Sequence, residues 1–333
     1  MAVLVTGGAG YIGSHAVLAL LAAGEEVIVL DRLSTGFEWA VPTGARLVIG
    51  DIGDRELVRS VIEENGIDAV LHFAGSIAIA ESIADPLGYY ANNSCKSRAL
   101  IEAAVAGGVR HFIFSSTAAV YGATAPEPVT EATPALPAAP YGTSKLMTEI
   151  MLRDAAAAHD FTYTVLRYFN VAGADPQGRI GQSTPGTSQL IKAVAEAALG
   201  LRRSITIFGN DYPTPDGTCV RDYIHVTDLA TVHVLALSRL RAGGGNLTAN
   251  CGYGQGYSVR QVIDSAERVH GGQVRVEIGE RRPGDQAMVI ADASLARQAF
   301  GWTPQFDDLD AIMRHTLAWE KVMMGRRGGI TGA

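Results

Sequence analysis

Tyr141 and Lys145 stand four positions apart in the stretch PYGTSK, directly after a proline-rich loop. On a helix, residues i and i+4 share a face. The pair is therefore either ordinary helix surface or a base beside the cation that tunes it. A free phenol titrates near pH 10, and bringing it to about 7 takes roughly 4 kcal/mol of preference for the phenolate. Nearby positive charge supplies that preference. One buried ammonium does not suffice, so the pair makes chemical sense only beside a second cation, such as an oxidised nicotinamide.

The start of the chain carries a place for one. VTGGAGYIGSH lies where a first apolar run turns into a first helical run. Gly7, Gly10 and Gly13 follow G-x-x-G-x-x-G spacing, and Gly8, Gly10 and Gly13 also satisfy G-x-G-x-x-G. Such glycines allow a tight turn, close approach of a pyrophosphate and close helix–strand packing, with the phosphate against the free N–H groups of the helix. Asp31 closes the second apolar run, where a carboxylate can hydrogen-bond the ribose hydroxyls of NAD and repel the 2′-phosphate of NADP. The neighbouring Arg32 can accommodate that phosphate, but the carboxylate favours NAD. Asp51 in GDI either contacts the adenine edge or caps a helix.

Alternating short β-branched runs and longer Ala/Leu-rich segments position these residues. Residues 2–7, 26–31, 46–51, 69–75, 111–117 and 162–169 read as buried strands; 11–24, 55–66 and 92–108 read as helices with glycine stops. Alternation of this kind predicts an α/β fold, a Rossmann-type doubly wound parallel sheet covered on both faces. Ligands of such sheets bind outside the carboxyl ends of the strands, which puts Ser115, Ser116 or Thr117, ending the run HFIFSST, over the crevice. Long Gly/Pro/Asp-rich stretches at 173–189 and 209–223 predict functional loops. They belong to a smaller α/β substrate domain. The expected division is a cofactor domain over 1–172, rejoined by 218–245, and a substrate domain over 173–217 and 246–325. The tail 325–333 reads as flexible.

The composition, 47% hydrophobic and 18% charged over 333 residues, fits a well-packed protein and not a disordered one. A net charge of −7 argues against nucleic acid as a partner. Cys95, Cys219 and Cys251 form no C-x-x-C motif and read as free thiols of a reducing compartment; no metal is expected. The opening MAVLVTGG has no basic n-region or long apolar h-region, so no secretory signal is expected, and no apolar run approaches the about 20 residues a membrane span needs. The expectation is a cytoplasmic protein with no membrane partner.

TGGAGYIG, HFAG, SSTAAVYG and YGTSK resemble the extended short-chain dehydrogenase/reductase superfamily. LRYFNVAGADP and IFGNDYPTPDGTCVRDYIHVTDLA narrow the resemblance to the UDP-glucose 4-epimerases, over residues 1 to about 320. The resemblance implies reversible inversion at C4 of a UDP-hexose through a 4-keto sugar, with NAD tightly held. It implies that Tyr141 takes the proton of the 4-hydroxyl, that Lys145 binds the nicotinamide ribose and lowers Tyr141's pKa, and that Thr117 hydrogen-bonds the 4-oxygen. Tyr11 and Ile12 would line the pyrophosphate; Asp51, Ile52, Phe73, Ala74, Asn92 and Phe169 would border the cofactor. Asn170, Gln189, Leu190, Arg221, Arg282, Asp285 and Val289 would hold the UDP-sugar, the arginines matching diphosphate geometry with their forked donors. A homodimer is implied too, helices near 92–107 and 142–158 forming a four-helix bundle.

The sequence departs from the family at three points. Ile77 stands where the family commonly has a lysine reaching the cofactor, which bears on how tightly NAD is retained. Gln189 replaces an asparagine of the nucleotide site. Val289 falls where bacterial members often carry tyrosine, and a smaller side chain there leaves room for N-acetylated sugars. An epimerase of another UDP-sugar (UDP-N-acetylglucosamine, UDP-glucuronate or a UDP-pentose) is the alternative. A 4,6-dehydratase needs an acid just after Thr117, where this chain has Ala118 and Ala119. A non-catalytic dinucleotide sensor would have no use for Tyr141 and Lys145.

Overall fold

A computed structural model describes residues 1–122, 128–186, 189–282 and 284–330. Parts of the expected loop 173–189, the ERRPGD stretch and the tail (187–188, 283 and 331–333) lie outside the described residues.

The apolar runs of the first half form β1 (Ala2–Thr6), β2 (Glu26–Asp31), β3 (Arg46–Ile49), β4 (Ile67–His72), β5 (His111–Thr117) and β6 (Thr162–Tyr168). Shorter strands follow: β7 (Asn170–Ala172), β8 (Ile205–Phe208), β9 (Val220–His225), β10 (Leu247–Cys251), β11 (Gly256–Ser258), β12 (Val276–Gly279) and β13 (Met288–Val289). The large sheet has seven strands in the order β10-β6-β5-β4-β1-β2-β3, every pair parallel. The order reverses between β1 and β4, which opens the crevice where ligands of such sheets bind.

Successive strand residues point to opposite faces, and each face has its own core. Val3, Val5, Val27, Val29, Leu71 and Ile113 pack on one side with Val17 and Leu20 of the helix Tyr11–Ala22 and Leu229 and Val232 of the helix Val226–Arg241. Leu4, Ile28, Leu30, Val70, Phe112 and Phe114 pack on the other with Val58, Leu100 and Leu152, from the helices Arg55–Asn65, Lys96–Ala106 and Pro140–Ala158. Burial on both faces is why these strands read as continuous apolar runs.

Two boundaries differ from the sequence reading. Leu247–Cys251, expected in the substrate region, forms the seventh strand of the large sheet, pairing β6 residue for residue. Its five residues are too short for period-based assignment. Residues 325–330, expected as flexible, continue the helix Leu309–Ile330; the glycines that suggested a tail are carried by a helix already propagated by its packed first turns.

The remaining strands build a smaller mixed layer. β9 is flanked by β11, β13 and β7, while β8 pairs β12. Val220–Tyr223, expected within a loop, are therefore strand.

Candidate active site

The glycine turn lies at the reversal of strand order. Gly7 has φ 74°, and a Cβ on it would stand 2.6 Å from the Ala74 nitrogen; one on Gly13 would stand 2.2 Å from the Gly7 oxygen. Close approach of β1, β4 and the first helix thus requires glycine at both positions. Gly10, the N-terminal cap, has no side-chain cap bond, and the first helical turn holds no acidic residue. This leaves free N–H groups and a positive helix end for an anion. Tyr11 begins that helix and donates from its hydroxyl to the Gly173 oxygen at 2.6 Å; Ile12 packs against the core.

Asp31 accepts from the Ala9 N–H at 3.0 Å and from the Leu33 N–H at 2.8 Å, joining the glycine turn to the loop after β2. Leu33, at φ 58°, is the one non-glycine residue with positive φ among the described residues, strain of a kind that clusters at ligand sites. Arg32 is drawn aside onto Asp51 (3.4 Å) and Ser34 (3.1 Å). Asp51 does not cap the next helix, a role taken by Asp54 accepting from the Leu57 N–H. Instead it holds Lys96 at 2.5 Å and the Gly53 N–H at 2.8 Å. Burial raises its carboxyl's pKa, but these donors outweigh burial and hold it below the ordinary range. Ile52 beside it is buried.

Pro140 occupies the first helical position before Tyr141, where its missing N–H and fixed φ cost nothing. Tyr141 and Lys145 are both buried on this helix, so they are not helix surface. Lys145 Nζ donates to the Ser115 oxygen at 3.0 Å and lies 4.8 Å from the Phe114 ring centre. Burial pulls its pKa down to about 8, against an upward pull from Glu149. Burial raises the Tyr141 hydroxyl, and only a hydrogen bond with the Thr117 side chain opposes it. The chain's own groups therefore do not make Tyr141 a base. Of the three hydroxyls ending β5, Ser115 bonds His233 Nε2 at 2.7 Å, Ser116 bonds Glu149, and Thr117, whose Oγ1 accepts from the Ala119 N–H at 3.1 Å, is the one near enough to Tyr141 to pull its pKa down. Phe73 lies against the His233 ring at 4.8 Å. Asn92 and Asn93 sit in a π-helical turn, Tyr90–Cys95, a distortion frequent at functional sites. The Asn92 amide donates to Ser76 Oγ at 2.9 Å, and Asn93 accepts from the Ser76 N–H at 2.8 Å.

The sequence model of the NAD dependent epimerase/dehydratase family matches residues 3–252. A UDP-glucose 4-epimerase of Azospirillum brasilense is 53% identical over 334 residues, covering 99% of this chain and 96% of the relative. The chain belongs to the UDP-glucose 4-epimerase family. The structure of a UDP-glucose 4-epimerase from Stenotrophomonas maltophila, with bound NAD and formylated UDP-arabinopyranose, superposes with a TM-score of 0.95 at 42% identity, covering 98% of this chain and 99% of that one. That of a Bifidobacterium longum UDP-glucose 4-epimerase, in complex with NAD+ and UDP, gives 0.91 at 39% identity, covering 97% and 98%.

Set against what the family resemblance implied, the second lobe places the sugar-side residues in small groups. Arg221 and Val289 are register partners across β9 and β13, and Arg221 Nη1 donates to the Gln286 oxygen at 2.9 Å. Val289 and Phe169 pack with Val120, Tyr121 and Ala291. Arg282 pairs with Asp285 at 2.9 Å and lies 4.7 Å over the Phe208 ring. Asn170 is exposed at the start of β7. Gln189 accepts from Gln182 at 3.4 Å and precedes the helix Leu190–Ala198, whose Leu190 packs on the core. Ile77 is 60% exposed.

The sequence reading did not single out Phe208, an exposed ring at the end of β8 that lies beneath the Arg282 guanidinium. It also missed Glu149, four residues beyond Lys145 and buried; that spacing was legible.

Proposed function

We propose that this protein inverts C4 of a UDP-hexose, interconverting UDP-galactose and UDP-glucose, with NAD as a resident cofactor. One observation carries the reading: Tyr141 and Lys145 lie buried on one helix face, with the buried Thr117 beside Tyr141 at the carboxyl end of β5. The glycine turn, packed so closely that a Cβ on Gly7 or Gly13 would strike backbone, leaves the free N–H end of the first helix to fit a dinucleotide pyrophosphate, and Asp31 fits its ribose. When bound, NAD supplies a reversible acceptor for the C4 hydrogen and its electron pair, and a positive charge in the crevice.

The chain's own residues do the rest. Tyr141 takes the proton of the 4-hydroxyl and returns it to the inverted oxygen, and Thr117 holds that oxygen in line. Lys145 holds the nicotinamide ribose and adds the second cation that favours the phenolate. Arg221 and Arg282 hold the diphosphate as forked donors, with Asn170, Gln189, Leu190, Asp285 and Val289 around nucleotide and sugar. Ala118 and Ala119 offer no acid for an elimination.

The lobes divide the work: the large sheet with the helix after β9 holds NAD, and the smaller layer holds the sugar nucleotide. A second copy of the chain packs on the open groove of about 650 Å³ between the helices Lys96–Ala106 and Pro140–Ala158, lined by Ile101, Val105, Ala106, Met151 and Ala155. Those apolar residues, set among Arg98, Glu102, Asp154 and His159, support a homodimer closed by a four-helix bundle. No helix among the described residues is long and apolar enough to cross a membrane, and three free thiols suit the cytoplasm.

The test supplies UDP-galactose to purified protein with no nucleotide added and follows UDP-glucose by NMR, beside Tyr141→Phe. Turnover abolished by the substitution is the expected result. Turnover only with added NAD would trace to a site loosened at Ile77. No turnover in either condition would overturn the assignment.

A further inference from the structure

Glu149 completes a row with Tyr141 and Lys145 at i, i+4 and i+8, and it is only 7% exposed. A carboxylate so buried needs several partners. Ser116 Oγ donates to Oε1; Arg167 Nε donates to both oxygens at 3.1 Å, and Arg167 Nη2 to Oε2 at 2.5 Å. Arg167 is itself buried, on β6, and lies 5.0 Å over the Tyr121 ring. Tyr121 in turn donates to Asn250 Oδ1 on β10 at 2.6 Å. One side chain of the helix is thereby tied to three neighbouring strands of the sheet.

Its point of attachment matters. Ser116 stands between Ser115, whose oxygen receives Lys145, and Thr117, whose side chain bonds Tyr141. The tie fixes the height and rotation of the helix over the strand end, on which both contacts depend.

We propose that Glu149 is the positioning residue of this site: clamped between Ser116 and Arg167, it sets where Lys145 and Tyr141 stand over the end of β5. It touches neither sugar nor cofactor and acts through those two residues. This inference rests on the epimerase reading above. The carboxylate also has an electrostatic role. The other groups facing Lys145 are neutral: the Ser115 oxygen and the Phe114 ring on β5, His72 on β4, held unprotonated by burial, and Tyr141. Glu149 is thus the negative charge that keeps Lys145 cationic in a buried place.

The test compares wild type, E149Q and the double variant E149Q/R167M. The double variant removes the ion pair without leaving Arg167 unpaired, a change that commonly leaves stability intact. The double variant is expected to keep a Tm near wild type while kcat falls on the order of 100-fold with KM little changed. In E149Q, which removes the carboxylate charge and keeps Arg167, the alkaline limb should move down, and both variants, stripped of nucleotide, should bind NAD more weakly than wild type. A double variant with the kcat and NAD affinity of wild type would overturn the inference, leaving Glu149 as a partner for Arg167 only. If wild type does not turn over UDP-galactose, the substrate reading fails, and NAD affinity of the stripped proteins still decides on Glu149.

Discussion

Tyr141 stands between opposing influences, burial raising its hydroxyl's pKa and the Thr117 bond lowering it. Replacing it with phenylalanine removes one hydrogen bond and little packing, so Tm should move by no more than about 2 °C. The same change should lower kcat on the order of 1,000-fold, the range of a lost general base. A fall in activity that merely tracks unfolding would contradict the assignment. Lys145 gives a second expectation. Its pKa of about 8 lies below that of free lysine because burial penalises the charge. It is cationic below that value and loses its proton as pH rises through it. NAD affinity, followed by fluorescence titration, should therefore be full near pH 7 and decline above about pH 8; an affinity flat to pH 9.5 would separate Lys145 from cofactor binding. Tyr141 and Lys145 were legible from residue type and spacing. Spacing left three consecutive hydroxyls open and only the family resemblance singled out Thr117, because the choice depends on His233 and Glu149 claiming the other two from distant segments.

Among the elements, the glycine turn and the helix after it make the sharpest case. Gly13→Ala puts a methyl 2.2 Å from a backbone oxygen. Backbone there cannot yield as a flexible side chain does, so the expected result is loss of NAD binding with a destabilisation of about 2 kcal/mol or more. Gly245→Ala, with no atom within 4 Å of its added Cβ, is the control and should leave both unchanged. The pair of helices lining the open groove is testable separately. Val105→Glu combined with Ala155→Glu places charges in that groove and should shift the protein to monomer by analytical ultracentrifugation, with the monomer's circular dichroism unchanged. A dimer that survives both charges uses another face. Helix existence followed from apolar spacing and stops such as Asn65-Gly66, where Gly66 adopts a left-handed cap.

Across the molecule, four histidines among the described residues are buried and held neutral by that burial: His15 and His233 near pKa 4, His72 and His225 near 3. Each lies below the unfolded value of about 6.5, so the unfolded chain binds protons first as pH falls. Their contribution is complete above pH 6.5 and declines below it, by about 1.4 kcal/mol per histidine for each unit until the folded pKa is reached. Denaturation midpoints in urea should drop steeply between pH 6.5 and 5. A midpoint constant over that range would mean these imidazoles titrate freely in the folded protein.

The sequence by itself determined the strand–helix alternation, the glycine turn, Asp31 and the Tyr141/Lys145 pair, because each is a local pattern of side-chain period, backbone freedom or spacing. Tertiary structure alone decided that Leu247–Cys251 closes the large sheet, that Asp51 serves Lys96 and not a helix cap, and that Glu149 ties the helix Pro140–Ala158 to β5. Those outcomes depend on partners 18 to 83 positions away, such as Arg167 for Glu149 and Thr164 for Leu247, and no local pattern encodes a partner brought near only by folding.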